Sequence, residues 1–595
     1  MHSVLRMTAG LLVCAGQGCW CTSPTTRCSA DIDCPSGYRC DPESHVCTFS
    51  DAGAAVDGAA VHDAAVDDAA VDGAAVDGAA VHDAASHDAA VRDAAAPDVE
   101  ILDMGAGDAA GLDVPRPDAA ADASPTDRSA ADLAQPDQQP LDAPAVDQCH
   151  PNCAGSCGGE DGCGGFCPDP CNPCTSSGCD QSTSDYTCLC LPGHEWNPSQ
   201  HVCVYQHDGE LSLAAGETFN LASDHIGDDR NGCADGVTYS VTSISGSAVT
   251  VDRIPGCCLG RGHTVLIINL RGADEQHINV GNYETATVSH VAGNQVTLKH
   301  ALSRYYGAYQ GGNSNIGLNP GHQRVALVRV PRYTSVSVSS DATLSTAAWD
   351  GSRGGVLALT SNSSIVVEGS IDMSGAGFRG GPSLLVNEGN GLAWQGESIT
   401  GMGIPALTAN FGGGGGGCFD GYSSCGNSGG GGGHASRGGA APAPANCVGT
   451  DIWCSSGSEG GRSYAGPEQS TQFFLGSGGG GSSSDRTVSC SPGGNGGGII
   501  MLKAATEISV RSHVLTGVRA DGTSASFGAW VGGGGAGGSI LLRSPTLCLG
   551  EAMVSAVGGP PASTWIGDGQ PGGFGVIRIA GTDVTGTTVP SYLTP

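Results

Sequence analysis

The feature that most constrains this chain is a pattern repeated through its C-terminal half: paired glycines, a short apolar strand, a break, a second strand, then glycine again. It reads GGVLALTSNSSIVVEGSIDMSGAG at 354–377 and GGIIMLKAATEISVRSHVLTGVRADG at 497–522. It returns as GGSILLRSPTLCLGEAMVSAVGG at 537–559 and, shortened, as GGFGVIRIAGTDVTG at 572–586. Strands this short cannot each bury a face alone, but repeats of them can bury apolar surface by stacking into a solenoid. Their apolar residues run nearly without interruption (356–359, 499–502, 540–542), which marks strands covered on both faces. Glycine pairs at 497, 537 and 572 are 40 and 35 residues apart, a solenoid spacing.

Between the first and second copies lies an insertion at about 378–495, with glycine runs at 412–417, 429–433 and 478–481. Such runs usually act as flexible linker, because glycine loses the most entropy on ordering. Here Cys418, Cys425, Cys447, Cys454 and Cys490 are interleaved with them, which a free linker would not need. Ordered polyglycine strands packed as left-handed extended helices, polyglycine II, are the alternative. They would resemble the glycine sandwiches of some phage adhesins and receptor kinases. His434, set among glycines, reads as a solvent-exposed side chain.

The net charge of −34 is localised: residues 51–148 hold 21 Asp and one Glu against three Arg, or −19, leaving −15 for the rest. In that tract an aspartate recurs every five residues from Asp83 to Asp118 and from Asp122 to Asp147. A five-residue step turns about 140° on a helix and alternates faces on a strand, so neither form has an apolar side. The tract is expected to be a disordered, extended spacer. With only two lysines, Lys299 and Lys503, and no evident basic patch, the composition argues against nucleic acid as a partner.

The N-terminal residues MHSVLRMTAGLLVCAGQGCWC carry a basic start, a short apolar core and small residues before Cys19. They read as a secretory signal at 1–18, much too short to span a bilayer. Lipid attachment at Cys19 is one possibility, and cysteine parity counts against it. Of 27 cysteines, Cys14 would leave with the signal, and the even remainder fits full pairing in an oxidising compartment. Six cysteines in the module at 19–50 and eleven in the block at 149–204 imply disulfides in place of apolar cores. The odd eleven suggests a bond leaving the block, with Cys233 a candidate partner. Strand-like runs VTYSVTSI, AVTVDRI, HTVLIINL, YETATVSHV, QVTLKHAL and RVALVRV make 205–330 an all-β subdomain.

Three resemblances follow from these residues. CSADIDCPSGYRCDPESHVC is similar to the Dickkopf-like Cys-rich repeats of bacterial surface proteins. The cysteine spacing from Cys179 to Cys203 resembles an EGF-like module; the upstream acidic calcium signature is lacking, so the resemblance implies the fold alone. The strings GRGHTVLIINLRG, NVGNYETATVSHVAGNQVTLKHAL and RVPRYTSVSVSS…WDGSRGGVLAL resemble secreted Cys-rich and Gly-rich β-solenoid proteins of gliding, predatory Gram-negative bacteria. That assembly implies a β subdomain ahead of a Gly-rich solenoid and says little of activity.

The expected fold is therefore all-β. A glycine-rich parallel β-helix or solenoid at 331–595 follows the β subdomain, two disulfide-rich modules and a disordered linker. Candidate chemistry is sparse. SDHIGDDRNGCADG gathers Asp224, His225, Asp228, Asp229 and Asp235. Paired carboxylates serve β-helix glycosidases, a calcium loop could use Asp229, Asn231 and Asp235, and plain turn chemistry suits the same residues. A lyase would need an Arg or Lys base beside acidic calcium ligands on one face, which the four strand repeats do not present. The expected protein is not an enzyme and has no cofactor beyond a structural calcium. It is an exported cell-envelope protein at the extracellular or outer-membrane surface, structural or adhesive, binding a surface polysaccharide or an envelope protein. The alternative is a carbohydrate-active β-helix enzyme.

Overall fold

Three parallel sheets stack along the C-terminal half, because each turn of chain contributes one strand to each sheet. In the computed structural model the described residues are the strands at 38–41 and 46–49 and most of 176–594. Within the latter, 181–186, 192, 200–201, 227–232, 274, 387–390, 420–425, 444–453, 455, 466–470, 486–488, 512–516 and 563–567 are left out. The expected signal at 1–18, the acidic tract at 51–148 and much of both cysteine blocks lie outside the described residues. The chain divides into two units, 22–147 and the remainder. In the smaller, Tyr38–Asp41 and Val46–Phe49 form an antiparallel hairpin with Cys40 opposite Cys47. The description below concerns the larger unit, which has no helix among its described residues.

Coil 3 shows the solenoid plan: Val356–Ser361, Ser364–Val367 and Ser370–Asp372 give one strand to each sheet. Coil 4 is Ile499–Ala504, Glu507–Val510 and Gly517–Arg519, and coil 5 is Ser539–Arg543, Thr546–Cys548 and Val554–Ser555. Coil 6 is Val576–Ala580, Asp583–Thr585 and Thr588–Val589. These are the four glycine-paired repeats, with three strands each where the sequence suggested two. The third strand is two or three residues long, too short to carry a readable period. Two further coils carry no glycine pair. Coil 2 is Arg332–Tyr333, Val336–Val338 and Thr343–Ser345; coil 1, Leu211–Leu213 and Thr218–Asn220, supplies only the second and third sheets. The solenoid thus begins inside the segment read as the β subdomain.

Register stacks like on like. Leu357, Ile500, Ile540 and Ile577 are successive partners on the first sheet. Leu211, Val336, Ile365, Ile508 and Leu547 do the same on the second, and all of these side chains are buried. The alternate residues of the first sheet, among them Val356, Ala358 and Ile499, pack outward against Leu266, Ile268 and Val328 of a neighbouring barrel and against Phe473, Phe474 and Leu475 of the insertion. Both faces are covered, hence the unbroken apolar runs.

That barrel is inserted between coils 1 and 2. Its six antiparallel strands are Thr238–Ser245, Ala248–Val251, Thr264–Arg271, Tyr283–Ala292, Gln295–Leu298 and Arg324–Val330, closed on themselves. Alternation divides their side chains: Val265, Ile267, Val325 and Leu327 fill the barrel, while Leu266, Ile268, Ala326 and Val328 face the solenoid. Cys190 bonds Cys203 within the second cysteine block. Cys233, the suggested partner of a cysteine in that block, instead bonds Cys258.

The glycine runs form a third layer, hydrogen-bonded throughout. Gly478 and Gly481 donate to the carbonyls of Glu397 and Trp394, Gly479 and Ser482 to those of Gly494 and Ser491, and Gly480 and Ser483 to those of Gly430 and Asn427. Partners recur every third residue, so one strand bonds three neighbours in three directions. A β-strand, of period two, reaches only two neighbours; a period of three is that of the polyproline II helix. Approach is close enough that a Cβ on Gly480 would fall on the Gly415 carbonyl oxygen, and one on Gly479 on that of Gly533.

Glu397 ties this layer to the others. Its buried carboxylate meets Arg271 of the barrel at 2.8 Å and Arg379, just after coil 3, at 2.8 Å. Burial works to raise its pKa, but the two guanidiniums overrule it and hold the group below the ordinary carboxylate range.

Gly480→Ala should therefore destabilise the protein by at least about 1–3 kcal/mol, the cost of overpacking a rigid interior. Gly312→Ala, where a Cβ has its nearest neighbours at 3.9 Å, should leave the melting temperature unchanged. Parallel thermal melts of the two variants test this.

Candidate functional site

Of the acidic loop singled out in the sequence, Asp224, His225 and Asp235 are described, and the Asp235 amide donates to the Asp224 carbonyl at 2.9 Å. Asp224 caps its own turn, accepting from the Asn220 amide at 2.7 Å and the Ser223 hydroxyl at 3.0 Å. Beside it His225 is half-buried. Asp228, Asp229 and Asn231 lie outside the described residues. Asp235 is fully buried; its carboxylate accepts from the Tyr333 hydroxyl at 2.8 Å and its carbonyl from Arg329 at 2.6 Å. Among the described residues, no group of three His, Cys, Asp or Glu side chains is placed to hold a metal ion.

Asp235 belongs to a junction built on Arg329. That guanidinium, 1% exposed, pairs with Asp208 at 2.6 Å and donates to His263 Nδ1 at 3.2 Å. The other Asp208 oxygen accepts from the Tyr205 hydroxyl at 2.6 Å and the Arg332 amide at 2.9 Å. The strand at 202–205, the barrel and the solenoid thus meet on one buried ion pair. Such a pair fixes geometry more than it adds stability, and removing one partner strands the other.

Two concavities flank this junction. The larger, about 590 Å³, is lined by Tyr239, Asp252 and Arg253 of the barrel region and by Ala348, Asp350 and Arg353 before coil 3. It does bring two carboxylates together: Arg353 contacts Asp252 at 2.6 Å and Asp350 at 4.0 Å. Burial acts to raise Asp350, but the amides of Arg353 and Ser352, the Ser352 hydroxyl and the Arg353 charge outweigh it and hold the group below its ordinary range. A general acid needs the opposite shift.

The smaller, about 210 Å³, is a groove between the barrel wall and the outer face of the first sheet. Thr264, Leu266, Tyr283 and Thr285 form one side. The other is laid down by four consecutive coils, with Arg332, then Ala358 and Thr360, then Met501 and Lys503, then Leu541 and Arg543. Arg332, Thr360, Lys503 and Arg543 are successive register partners and form one column. The sequence reading missed this basic column. Its signal is present, since Lys503 and Arg543 hold the fifth strand position in two aligned repeats, IIMLK and SILLR.

His434, expected at the surface, is fully buried. It lies against Tyr464 and Phe474, with Nε2 at 3.4 Å from the Ser539 hydroxyl. The residues that enclose it are 30 to 105 positions away in the chain, which the local sequence could not reveal. Burial drives its pKa down to about 3, helped by the Arg578 charge and opposed by the Phe474 backbone.

No family model and no curated protein sequence matches the chain. Among solved structures it is similar to the tailspike protein gp49 from Pseudomonas phage LKA1, at 17% identity over 22% of this chain and 23% of that one, with a TM-score of 0.11. It is also similar to the tailspike gp61 of Pseudomonas phage phi297, at 14% identity over 28% of this chain and 30% of that one, with a TM-score of 0.13. The chain spans less than a third of either tailspike, and likeness at these scores carries no argument here.

His434 gives a pH prediction. Its charged form is excluded from the fold, so the unfolded chain takes up the proton first, near the ordinary value of 6.5. Stability is full above that pH and declines as pH falls toward 3. The loss at pH 5 should be on the order of 2 kcal/mol. Urea midpoints at neutral pH and at about pH 5 measure it; in His434→Leu this part of the pH dependence should vanish.

Proposed function

We propose that this protein is an exported cell-envelope component, structural or adhesive, whose solenoid head holds an extended polysaccharide chain. The observation that carries this reading is the groove crossed by four successive coils, with apolar floor, hydroxyls and charged edge. A site built from repeats presents similar contacts at each step, which suits a polymer whose many weak contacts add. Its rim of Thr264, Thr285 and Thr360 offers hydroxyls to a hydroxylated ligand, and Tyr283 gives it an amphipathic ring. Disulfides Cys190–Cys203 and Cys233–Cys258 fit an oxidising, extracellular setting.

One observation favours a second reading, a carbohydrate-active enzyme: the carboxylates of Asp252 and Asp350 share the larger cleft. Against it, both flank the Arg353 guanidinium, and Asp350 is held in the ionised form. Binding without cleavage is the better supported role.

Full-length exported protein should be retained on some member of a panel of immobilised bacterial polysaccharides. Thr285→Trp, which fills the groove from an exposed position, should weaken retention by roughly tenfold or more. Failure to bind any of the panel, or native binding by that variant, would defeat the reading. No reducing ends should be released from the bound polymer. Release that disappears in the Asp252→Asn/Asp350→Asn double variant would promote the enzyme instead.

A further inference from the structure

We propose that the groove takes an acidic polysaccharide, whose anionic groups are held by Arg332, Lys503 and Arg543. This rests on the reading above and adds the chemistry of the ligand.

The first support is the placement of the charges. Lys503 and Arg543 are direct register partners on adjacent parallel strands, about 4.8 Å apart, and Arg332 lies two strands beyond Lys503, about 10 Å away. Like charges on facing positions repel and cost stability. Six arginines elsewhere are set against acids, Arg271 and Arg379 on Glu397, Arg329 on Asp208, Arg353 on Asp252, Arg511 on Glu507 and Arg519 on Asp521, while Arg304, Arg324 and Arg578 donate to backbone carbonyls. A chain with 59 acidic and 25 basic residues has acids to spare. Leaving this column without them is a cost that an anionic ligand removes.

The second support is the absence of competing charge in the groove. No Asp or Glu is among its lining residues. Among the described residues, none of the three cations has an ion-pair partner. Glu284, next to Tyr283, is occupied by the Ser303 and Arg304 amides and the Tyr306 hydroxyl.

The third is the field at Tyr283. Arg304 sits over its ring at 5.8 Å. Burial raises the phenol, while Arg578, Arg543 and Arg304 all act to lower it, so cations converge on that wall from three elements. Low-dielectric walls strengthen such a field toward a ligand inside it. A single polysaccharide chain fits a groove of about 210 Å³; a nucleic-acid duplex, far wider, does not.

The test measures affinity of full-length protein for polygalacturonate (carboxylate), dextran sulfate (sulfate), neutral dextran and single-stranded DNA. Binding to either acidic polymer is expected, weakening about tenfold or more between about 50 and 500 mM salt as the Debye length shrinks; the tighter of the two names the anionic group. K503E and R543E should each reduce affinity roughly tenfold, while K503R keeps it. Neither reversal should lower the melting temperature, because each places an opposite charge beside its neighbour. Groove-dependent binding of neutral dextran that ignores salt and K503E would overturn this proposal and leave the polysaccharide reading standing. Binding of no polysaccharide would overturn both, and tighter binding of the DNA than of either acidic polymer would overturn the choice of ligand.

Discussion

Backbone amides and carbonyls bonding in three directions hold the head together. Gly478, Gly479 and Gly480 each address a different neighbour, and Gly481 returns to the neighbour of Gly478. Every strand in such a layer is surrounded by others, which is possible only where no Cβ intervenes. Glycine runs are costly to order, about 0.5–1 kcal/mol more per residue than alanine. The compensation here is that amides in all three glycine runs find carbonyl partners. The layer then covers the outer face of the first solenoid sheet through Phe473, Phe474 and Leu475.

Around that layer the apolar residues have a simple distribution. One set of alternate positions fills the solenoid in ladders of Leu, Ile and Val, and the other meets the barrel and the glycine layer. Because a one-residue slip would exchange the two sets, both faces specify the register. Buried ion pairs sit where the parts join, Arg329 with Asp208 and Glu397 with Arg271 and Arg379. The groove lies where the barrel and first sheet diverge. The backbones that carry its cations are therefore held in fixed register on adjacent strands.

Much of the fold was legible in the strand patterns. All six barrel strands coincide with runs read from Val, Ile and Thr enrichment, and the glycine-paired repeats are coils 3 to 6. Coil 1 was not legible, because it carries no glycine pair and the barrel separates it in sequence from the other coils. The site was less legible still. The loop pattern gave no sign that Asp235 is a buried acceptor for Tyr333; His434 looked exposed and is enclosed.

The sequence alone determined what depends on local period and composition: short strands, glycine positions that exclude side chains, and cysteines too dense for a conventional core. Those are properties of a residue and its near neighbours. Only the tertiary structure decided which strands stack. Arg332, Lys503 and Arg543 are separated by 171 and 40 residues in the chain and become one column because parallel register places them on successive coils. It also decided where polyglycine goes, since a glycine run is equally compatible with a free linker and a packed layer. Strands far away in sequence must first surround it before its amides have carbonyls to meet.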